Sequence, residues 1–245
     1  MMHIWGLTDI GLVRKDNQDA YATDYHSESD HMIAVVCDGM GGCKGGRVAS
    51  RMAVDTYLAE IKKILRPDMT EAQLKQASSY AVALANDAVY EKAQEVPEYH
   101  GMGTTLVSAV SFPGGVVVSN VGDSRAYHIS HDGIRCITKD HSLVEELLER
   151  GDITEEEARV HPNRNVITRA LGSEEAVEAD YFEVHLHSGD FLLLCSDGLS
   201  NIVSDLEMLE YAKEYPDPEL LCQSLMRKAL NRGARDNVTV LAVMK

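Results

Sequence analysis

Four aspartates stand where short apolar runs end or begin. Asp38-Gly39 follows the run 32–37, Asp197-Gly198 follows 191–195 through Ser196, and Asp236 precedes 238–243. Asp123 lies in Val121-Gly122-Asp123-Ser124-Arg125, between two more such runs. Ends of buried strands in one sandwich can converge at one rim, where several carboxylates repel strongly unless cations neutralise them. Hard divalent ions with oxygen ligands are the partners such a set implies. A single Asp-Gly pair carries little weight, since Asp132-Gly133, between 126–130 and 134–138, reads as a two-residue hairpin turn. Asp38-Gly39 differs: it runs into Met40-Gly41-Gly42-Cys43-Lys44-Gly45-Gly46, too glycine-rich for a hairpin and suited to close backbone approach. Near the start, Arg14 precedes Lys15-Asp16-Asn17-Gln18-Asp19, and its planar fork suits a phosphate.

The elements that must place these residues follow from the apolar pattern. Runs at 32–37, 105–110, 116–121, 191–195 and 238–243 have the length of buried strands, and several are rich in Val and Leu. Val54, Leu58, Ile61 and Leu65 recur at helical spacing, as do Leu74, Ala77, Ala81, Leu84 and Ala88. Arg66-Pro67-Asp68 separates the two helices, and Thr70 is the N-cap of the second. Residues 218–231 read as a further helix, stopped by Gly233, that feeds the last strand. Strands, two long helices, adjacent strands, a polar helical stretch, strands, a helix and a strand do not alternate as a Rossmann sheet does. They imply antiparallel pairing in an α+β layered fold. No repeat, low-complexity tract or linker interrupts the chain, so 1–245 reads as one domain.

Composition narrows the partners. At 245 residues and 44% hydrophobic the chain can bury a full core, while its net charge of −16 argues against nucleic acid, which is bound largely through Lys and Arg. No apolar stretch reaches the roughly 18 residues of a membrane span, and the start lacks a signal-peptide pattern, so a cytoplasmic protein is expected. The cysteines at 37, 43, 136, 195 and 222 form no CxxC pair and read as reduced, mostly buried thiols. Asp140-His141-Ser142 are neighbours in sequence and cannot form a triad; Ser142 reads as a helix N-cap with Glu145 three residues on. His185 and His187 sit two apart with no third ligand in view, and solvent exposure is expected for both.

Six short motifs, in one fixed order, resemble the PP2C-type (PPM) metal-dependent protein phosphatases, in particular the compact bacterial members. They are Arg14-Lys15-Asp16-Asn17-Gln18-Asp19, Asp38-Gly39-Met40-Gly41-Gly42, Gly103-Thr104-Thr105, Gly122-Asp123-Ser124-Arg125, Ser196-Asp197-Gly198 and Asp236-Asn237. The resemblance spans essentially the whole chain. It implies a four-layer α-β-β-α sandwich, two central antiparallel sheets flanked by helix pairs, with Mg2+ or Mn2+ as cofactor: two ions held tightly and a third more weakly. It further implies that Asp38 bridges two metals, that the Gly39 carbonyl binds one and Asp197 with Asp236 the other, and that Asp123 with Asp197 holds the third. Arg14 would take the substrate phosphate, Asp19 and Gln18 would support metal waters from behind, and Thr104 and Thr105 would be structural. The interval 142–168 corresponds to a flap beside the site.

The implied activity is hydrolysis of phosphoserine and phosphothreonine in proteins, opposing a bacterial-type Ser/Thr kinase, by a monomer whose partners are phosphorylated proteins. Such a site must neutralise a phosphate dianion, lower the pKa of a water and hold it in line. No cysteine nucleophile is needed, and Cys43 reads as a bystander. Two positions depart from the wider family. Met40 stands where eukaryotic members often carry a His that protonates the leaving oxygen, so water is expected to serve instead; Gln18 stands where some members have Glu. A pseudophosphatase that binds without turnover, and a hydrolase of small phosphoesters, are the alternative functions.

Overall fold

The computed structural model describes residues 2–26 and 31–245, with His26, Gly42, Cys43, Lys44 and Arg159 described by backbone alone. The chain runs β1 (His3–Asp9), β2 (Asp19–His26), β3 (His31–Met40), α1 (Gly42–Ile64) and α2 (Glu71–Glu95). After a short 3-10 turn at Pro97–Tyr99 come β4 (Gly103–Thr104), β5 (Leu106–Phe112), β6 (Gly115–Val121), β7 (Arg125–Ser130) and β8 (Gly133–Cys136). Then follow α3 (Leu143–Arg150), α4 (Glu155–Val160), β9 (Asp180–Val184), β10 (Phe191–Cys195), α5 (Asp197–Ser200), α6 (Asp205–Glu214), α7 (Pro218–Asn231) and β11 (Val238–Met244).

Two sheets result, ordered β1-β11-β10-β7-β8 and β2-β3-β5-β6-β9, with β4 attached to β3. All their pairings are antiparallel. Alternation along each strand sends side chains to opposite faces, so a strand covered on both faces needs an unbroken apolar run. In β3, Met32, Ala34 and Val36 meet Leu192, Leu194, Leu241 and Val243 of the other sheet, while Ile33, Val35 and Cys37 turn outward under α1 and α2. Helices α6 and α7 cover the far face of the β1-β11-β10-β7-β8 sheet, through Met208, Ala212, Leu221 and Leu225. The four α-β-β-α layers expected from the family resemblance are therefore present.

Local details follow their residues. Thr70 and Gln73 form a complete capping box on α2. The expected hairpin joins β7 to β8, but its two turn residues are His131 and Asp132 rather than Asp132 and Gly133, since Gly133 already pairs with Ser130, and β8 ends at Cys136. β1 and β2 lie outside the five apolar runs because neither is covered evenly; β1 is half-buried or exposed throughout. Two readings need correction. Asp38-Gly39 does not follow its strand: β3 continues through both to Met40, because β4 pairs with it there. Gly42–Gly46 is helical rather than loop, opening α1, and the close approach it permits is to the chain's own backbone: a Cβ on Gly39 would lie 2.0 Å from the Gly46 carbonyl oxygen. His185 and His187 are exposed as expected, but they lie beyond the end of β9. Of the cysteines, 37, 136, 195 and 222 are free thiols, three of them buried; the side chain of Cys43 lies outside the described residues. Among the described residues no helix is long and apolar enough to cross a membrane.

One buried amide ties the helical layer to the loop before β9. Asn86 of α2 donates through Nδ2 to the carbonyls of Glu174 and Glu175, each at 3.1 Å, and accepts from the Gly172 N–H at 2.9 Å. Asn86→Ala leaves these backbone groups without partners, and urea denaturation should report a loss of about 3 kcal/mol.

Candidate active site

Main-chain and side-chain contacts fix the segments that carry the cluster. The Asp38 carbonyl accepts from the Thr105 N–H at 2.9 Å and the Thr104 hydroxyl at 2.8 Å, while the Asp38 N–H donates to Thr105 Oγ1 at 2.9 Å. Thr105 Oγ1 also bonds Ser124 Oγ at 2.7 Å, which ties Asp38 to the loop carrying Asp123. Asp197 opens α5. A Cβ on Gly198 would lie 1.9 Å from the Asn237 carbonyl oxygen, so only glycine lets the start of α5 rest on the start of β11. That contact brings Asp197 beside Asp236.

Asn237 holds the N-terminal loop to the same place. Its Nδ2 donates to the carbonyls of Ile10 at 2.9 Å and Asp16 at 3.0 Å, and its Oδ1 accepts from the Gln18 N–H at 2.8 Å. The loop so pinned carries Arg14, whose Nη2 donates to Asp236 Oδ2 at 2.5 Å. Asp19 is buried at the seam between the sheets. Its Oδ2 accepts from Ser196 Oγ and Thr239 Oγ1, both at 2.7 Å, and its Oδ1 is buried without a partner among the described residues.

Mutual repulsion shows how closely these groups face one another. Burial, then the charges of Asp19, Asp197, Asp123 and Asp236, push Asp38 well above the usual carboxylate range. Burial and the Asp236 charge raise Asp197, eased by a hydrogen bond with Asp38 and by Arg14. Asp123 rises to about 7, through burial and then Asp197 and Asp140; Asp19 rises to about 6, chiefly through burial and against its two hydroxyl donors.

The expected site residues therefore meet at one rim. Among the described residues no three of them close on a common point as ligands of one ion, since Asp236 is turned to Arg14 and Asp197 to Asp38. The chemistry of the set nevertheless fits divalent cations: oxygen donors, an uncompensated like-charge cluster, and a buried carboxylate oxygen at Asp19 with nothing to accept from.

Other expected residues fall as follows. Thr104 and Thr105 are structural, as the clamp on Asp38 shows. Gln18 meets the site through its backbone carbonyl, which accepts from the Gly39 N–H at 3.1 Å. The Met40 methyl packs towards Gly103. Ser142 caps α3, accepting from the Glu145 N–H at 3.2 Å. Asp140 takes the fork of Arg125, at 2.9 and 2.7 Å, and His141 Nδ1 accepts from the Gly122 N–H at 3.1 Å, so both brace the Asp123 loop. Sequence reasoning gave no role to Arg125, Ser196, Asn201, Asn237 or Thr239. Asn237 had a visible signal, an amide directly before a buried strand; the other four depend on register.

An arginine paired with one of several clustered carboxylates suited to divalent ions, at the rim of a two-sheet sandwich, is an arrangement fitted to hydrolysing phosphorylated substrates. A family model described as Protein phosphatase 2C matches residues 14–233. The serine/threonine phosphatase stp of Listeria innocua serovar 6a is 40% identical over 242 residues, 99% of this chain and 95% of the relative. Protein phosphatase PhpP of Streptococcus pneumoniae serotype 2 is 35% identical over 243 residues, 99% of this chain and 97% of its own. The crystal structure of serine/threonine phosphatase Stp1 from Staphylococcus aureus matches with a TM-score of 0.92 at 38% identity, covering 100% of this chain and 95% of that one. The catalytic domain of serine threonine protein phosphatase PstP, solved with two manganese ions, matches with a TM-score of 0.85 at 32% identity, covering 99% and 97%. The chain belongs to the protein phosphatase 2C family of metal-dependent serine/threonine phosphatases.

The raised pKa values bear on stability. A carboxylate that binds its proton more tightly in the folded state than at the ordinary value of 3.8 stabilises the fold fully below that value. That contribution is lost as pH rises through about 6 for Asp19 and about 7 for Asp123. In chelator, the melting temperature should fall between about pH 5 and pH 8, Asp123→Asn should blunt the fall, and Mn2+ at pH 8 should reverse it. Scanning fluorimetry across that range checks all three.

Proposed function

We propose that Asp38, Asp197 and Asp236, with the Gly39 carbonyl, hold two Mg2+ or Mn2+ ions, that Asp123 with Asp197 holds a third more weakly, and that Arg14 binds the phosphate of phosphoserine or phosphothreonine. The observation that carries this reading is the placing of Arg14: it pairs with Asp236 while lying within electrostatic reach of Asp38 and Asp197, so one guanidinium faces three of the carboxylates. Ions bound there supply charge neutralisation and a water of lowered pKa.

The chain's own residues do the rest. Arg14, with its side chain 52% exposed, can leave Asp236 and turn its fork to a phosphate dianion. Asp19, held by Ser196 and Thr239, keeps one oxygen free to orient water, and Gln18 stands beside it. Met40 cannot donate a proton, so the leaving serine or threonine oxygen takes its proton from water in the cleft. A serine or threonine phosphate in a protein is installed by a kinase, which makes such a kinase and its targets the natural partners, met by a monomer in the cytoplasm. Binding without turnover is less well supported, because every proposed ligand carboxylate is retained. Asp38→Asn should cut phosphate release from a phosphothreonine peptide at saturating Mn2+ by about 100-fold or more, with the circular dichroism spectrum unchanged. A variant of near wild-type rate would remove Asp38 from the machinery. Comparing that peptide with small phosphoesters distinguishes a protein phosphatase from a general phosphoesterase.

The interval 142–168 is assigned as the flap within a single domain 1–245. It leaves and rejoins the body at one point, where Ser142 bridges Ile167 and Thr168 donates to the His141 carbonyl at 2.8 Å. Val144, Glu145 and Leu148 of α3 line a cavity of about 850 Å3 shared with Asp123 and Asp197. A peptide bound at the carboxylates would lie against this wall. Exchanging 143–166 for a short linker should change relative rates on different phosphopeptides while leaving hydrolysis of a small aryl phosphate within about threefold; equal changes on all substrates would deny the flap a part in selection.

A further inference from the structure

The segments carrying Asp197 and Asp236 are joined by a second set of contacts, away from the carboxylates. Asp197 opens α5, which passes through Asn201 and Ile202 into α6; Asp236 follows α7 through Arg232-Gly233-Ala234-Arg235. Arg232 reaches across this gap. Its Nη1 donates to the Ile202 carbonyl at 2.9 Å and to Glu207 Oε2 at 2.7 Å, and its Nη2 donates to Glu207 Oε1 at 2.5 Å.

Glu207 is itself fixed. Its Oε2 accepts from the N–H and hydroxyl of Ser204, at 3.2 and 3.1 Å, in the capping box that starts α6, and Lys228 Nζ stands 3.1 Å from Oε1. On the other side, Asn201 Nδ2 donates to Asp197 Oδ2 at 3.0 Å, and the Asn201 N–H donates to the Asp197 carbonyl at 2.8 Å. The turn before Asp236 is therefore linked through Arg232 to Ile202, next to the residue whose amide holds Asp197.

A half-exposed ion pair contributes little to stability by itself. This one differs in form. A bidentate fork fixes orientation, and the third bond ends on a main-chain carbonyl rather than on a mobile side chain. Its consequence is for geometry more than for stability.

We propose that Arg232 is a positioning residue: anchored on Glu207, and acting through Ile202 and the Asn201 amide, it sets the separation of the Asp197 and Asp236 carboxylates for the cation they share. The proposal rests on the reading of those two aspartates as ligands. Supporting partners of metal ligands typically alter affinity by about 10–100-fold when removed.

The sign of the effect separates this role from simple charge. Arg232→Ala removes a positive charge from the neighbourhood of an acidic site, which by Coulomb attraction alone would tighten cation binding. A positioning role requires the opposite. Calorimetric titration of the full chain with Mn2+ should show Arg232→Ala binding about 10-fold more weakly, with its melting temperature in chelator close to wild type. Arg232→Lys keeps the charge but lacks the fork, and should remain weak; Asn201→Ala should weaken binding in the same direction.

Unchanged or tighter binding by Arg232→Ala overturns the proposal, as does weakening matched by an equal loss of folded protein in chelator. Should Arg232→Ala not fold, full Mn2+ affinity in Arg232→Lys is the overturning result. Asp236→Asn separates the two levels: if it binds Mn2+ normally, the ligand reading fails and this proposal falls with it. If it binds poorly while Arg232→Ala binds normally, the positioning role alone is lost.

Discussion

Like charge held together out of water is the constraint that organises this protein. Burial raises the proton affinity of Asp38, Asp197 and Asp123 at a rim where both sheets end, neighbouring carboxylate charges raise it further, and Asp19 lies just behind them. A cluster of this kind costs free energy until cations enter it, so the surrounding structure must hold the carboxylates against their own repulsion. It does so largely with neutral donors and main-chain contacts. Two threonines and a serine fix Asp38 and the Asp123 loop, two hydroxyls hold Asp19, and Asn237 secures the segment that brings Arg14. Rigid neutral supports suit such a site because they position the carboxylates without neutralising the charge that attracts the cations.

Asp-Gly acquires a specific meaning in this setting. At 132–133 it stands at the end of a hairpin turn, its glycine pairing with Ser130, whereas at 38–39 and 197–198 the glycine lies where another segment of backbone passes, Gly46 in one case and Asn237 in the other. The missing side chain allows each neighbouring aspartate to reach the rim from a tightly packed base. The pairs share two letters and differ in what surrounds them, which is why the dipeptide alone could not separate rim from turn.

What the sequence reveals follows from how each element is buried. Strands covered on both faces, such as β3, β6, β10 and β11, read as unbroken apolar runs, and the helices under them kept their 3.6-residue period. β1 and β2 carry no such run. The start of α1 was hidden because glycines oppose helix locally, and packing against β3 and Met102 overrides that preference. The strand-end aspartates were legible as a set, while Arg14 needed the family resemblance to give it a role. The hydroxyls of Ser196 and Thr239 were not legible: they meet Asp19 only because β10 and β11 pair in one register and the start of β2, in the other sheet, lies against them. Arg125 and Asp140 are 15 residues apart and meet through the β7–β8 hairpin and the segment after it, a contact no local pattern encodes.

The site also joins distant parts of the chain. Arg14 and Asp236 are 222 residues apart in sequence, and Asp19 binds hydroxyls from Ser196, just after β10, and Thr239 of β11, although its own strand belongs to the other sheet. A cation held as proposed would act on both halves of the sandwich at once, through carboxylates from β3 of one sheet and from the segments flanking β10 and β11 of the other. Binding energy from such an ion is shared with folding, because the unfolded chain cannot assemble ligands so far apart in sequence. The same wiring explains why supports such as Asn237 and Arg232 matter beyond their own contacts: each joins segments that the sheets alone would leave free to drift, and a metal centre tolerates little drift in its ligands.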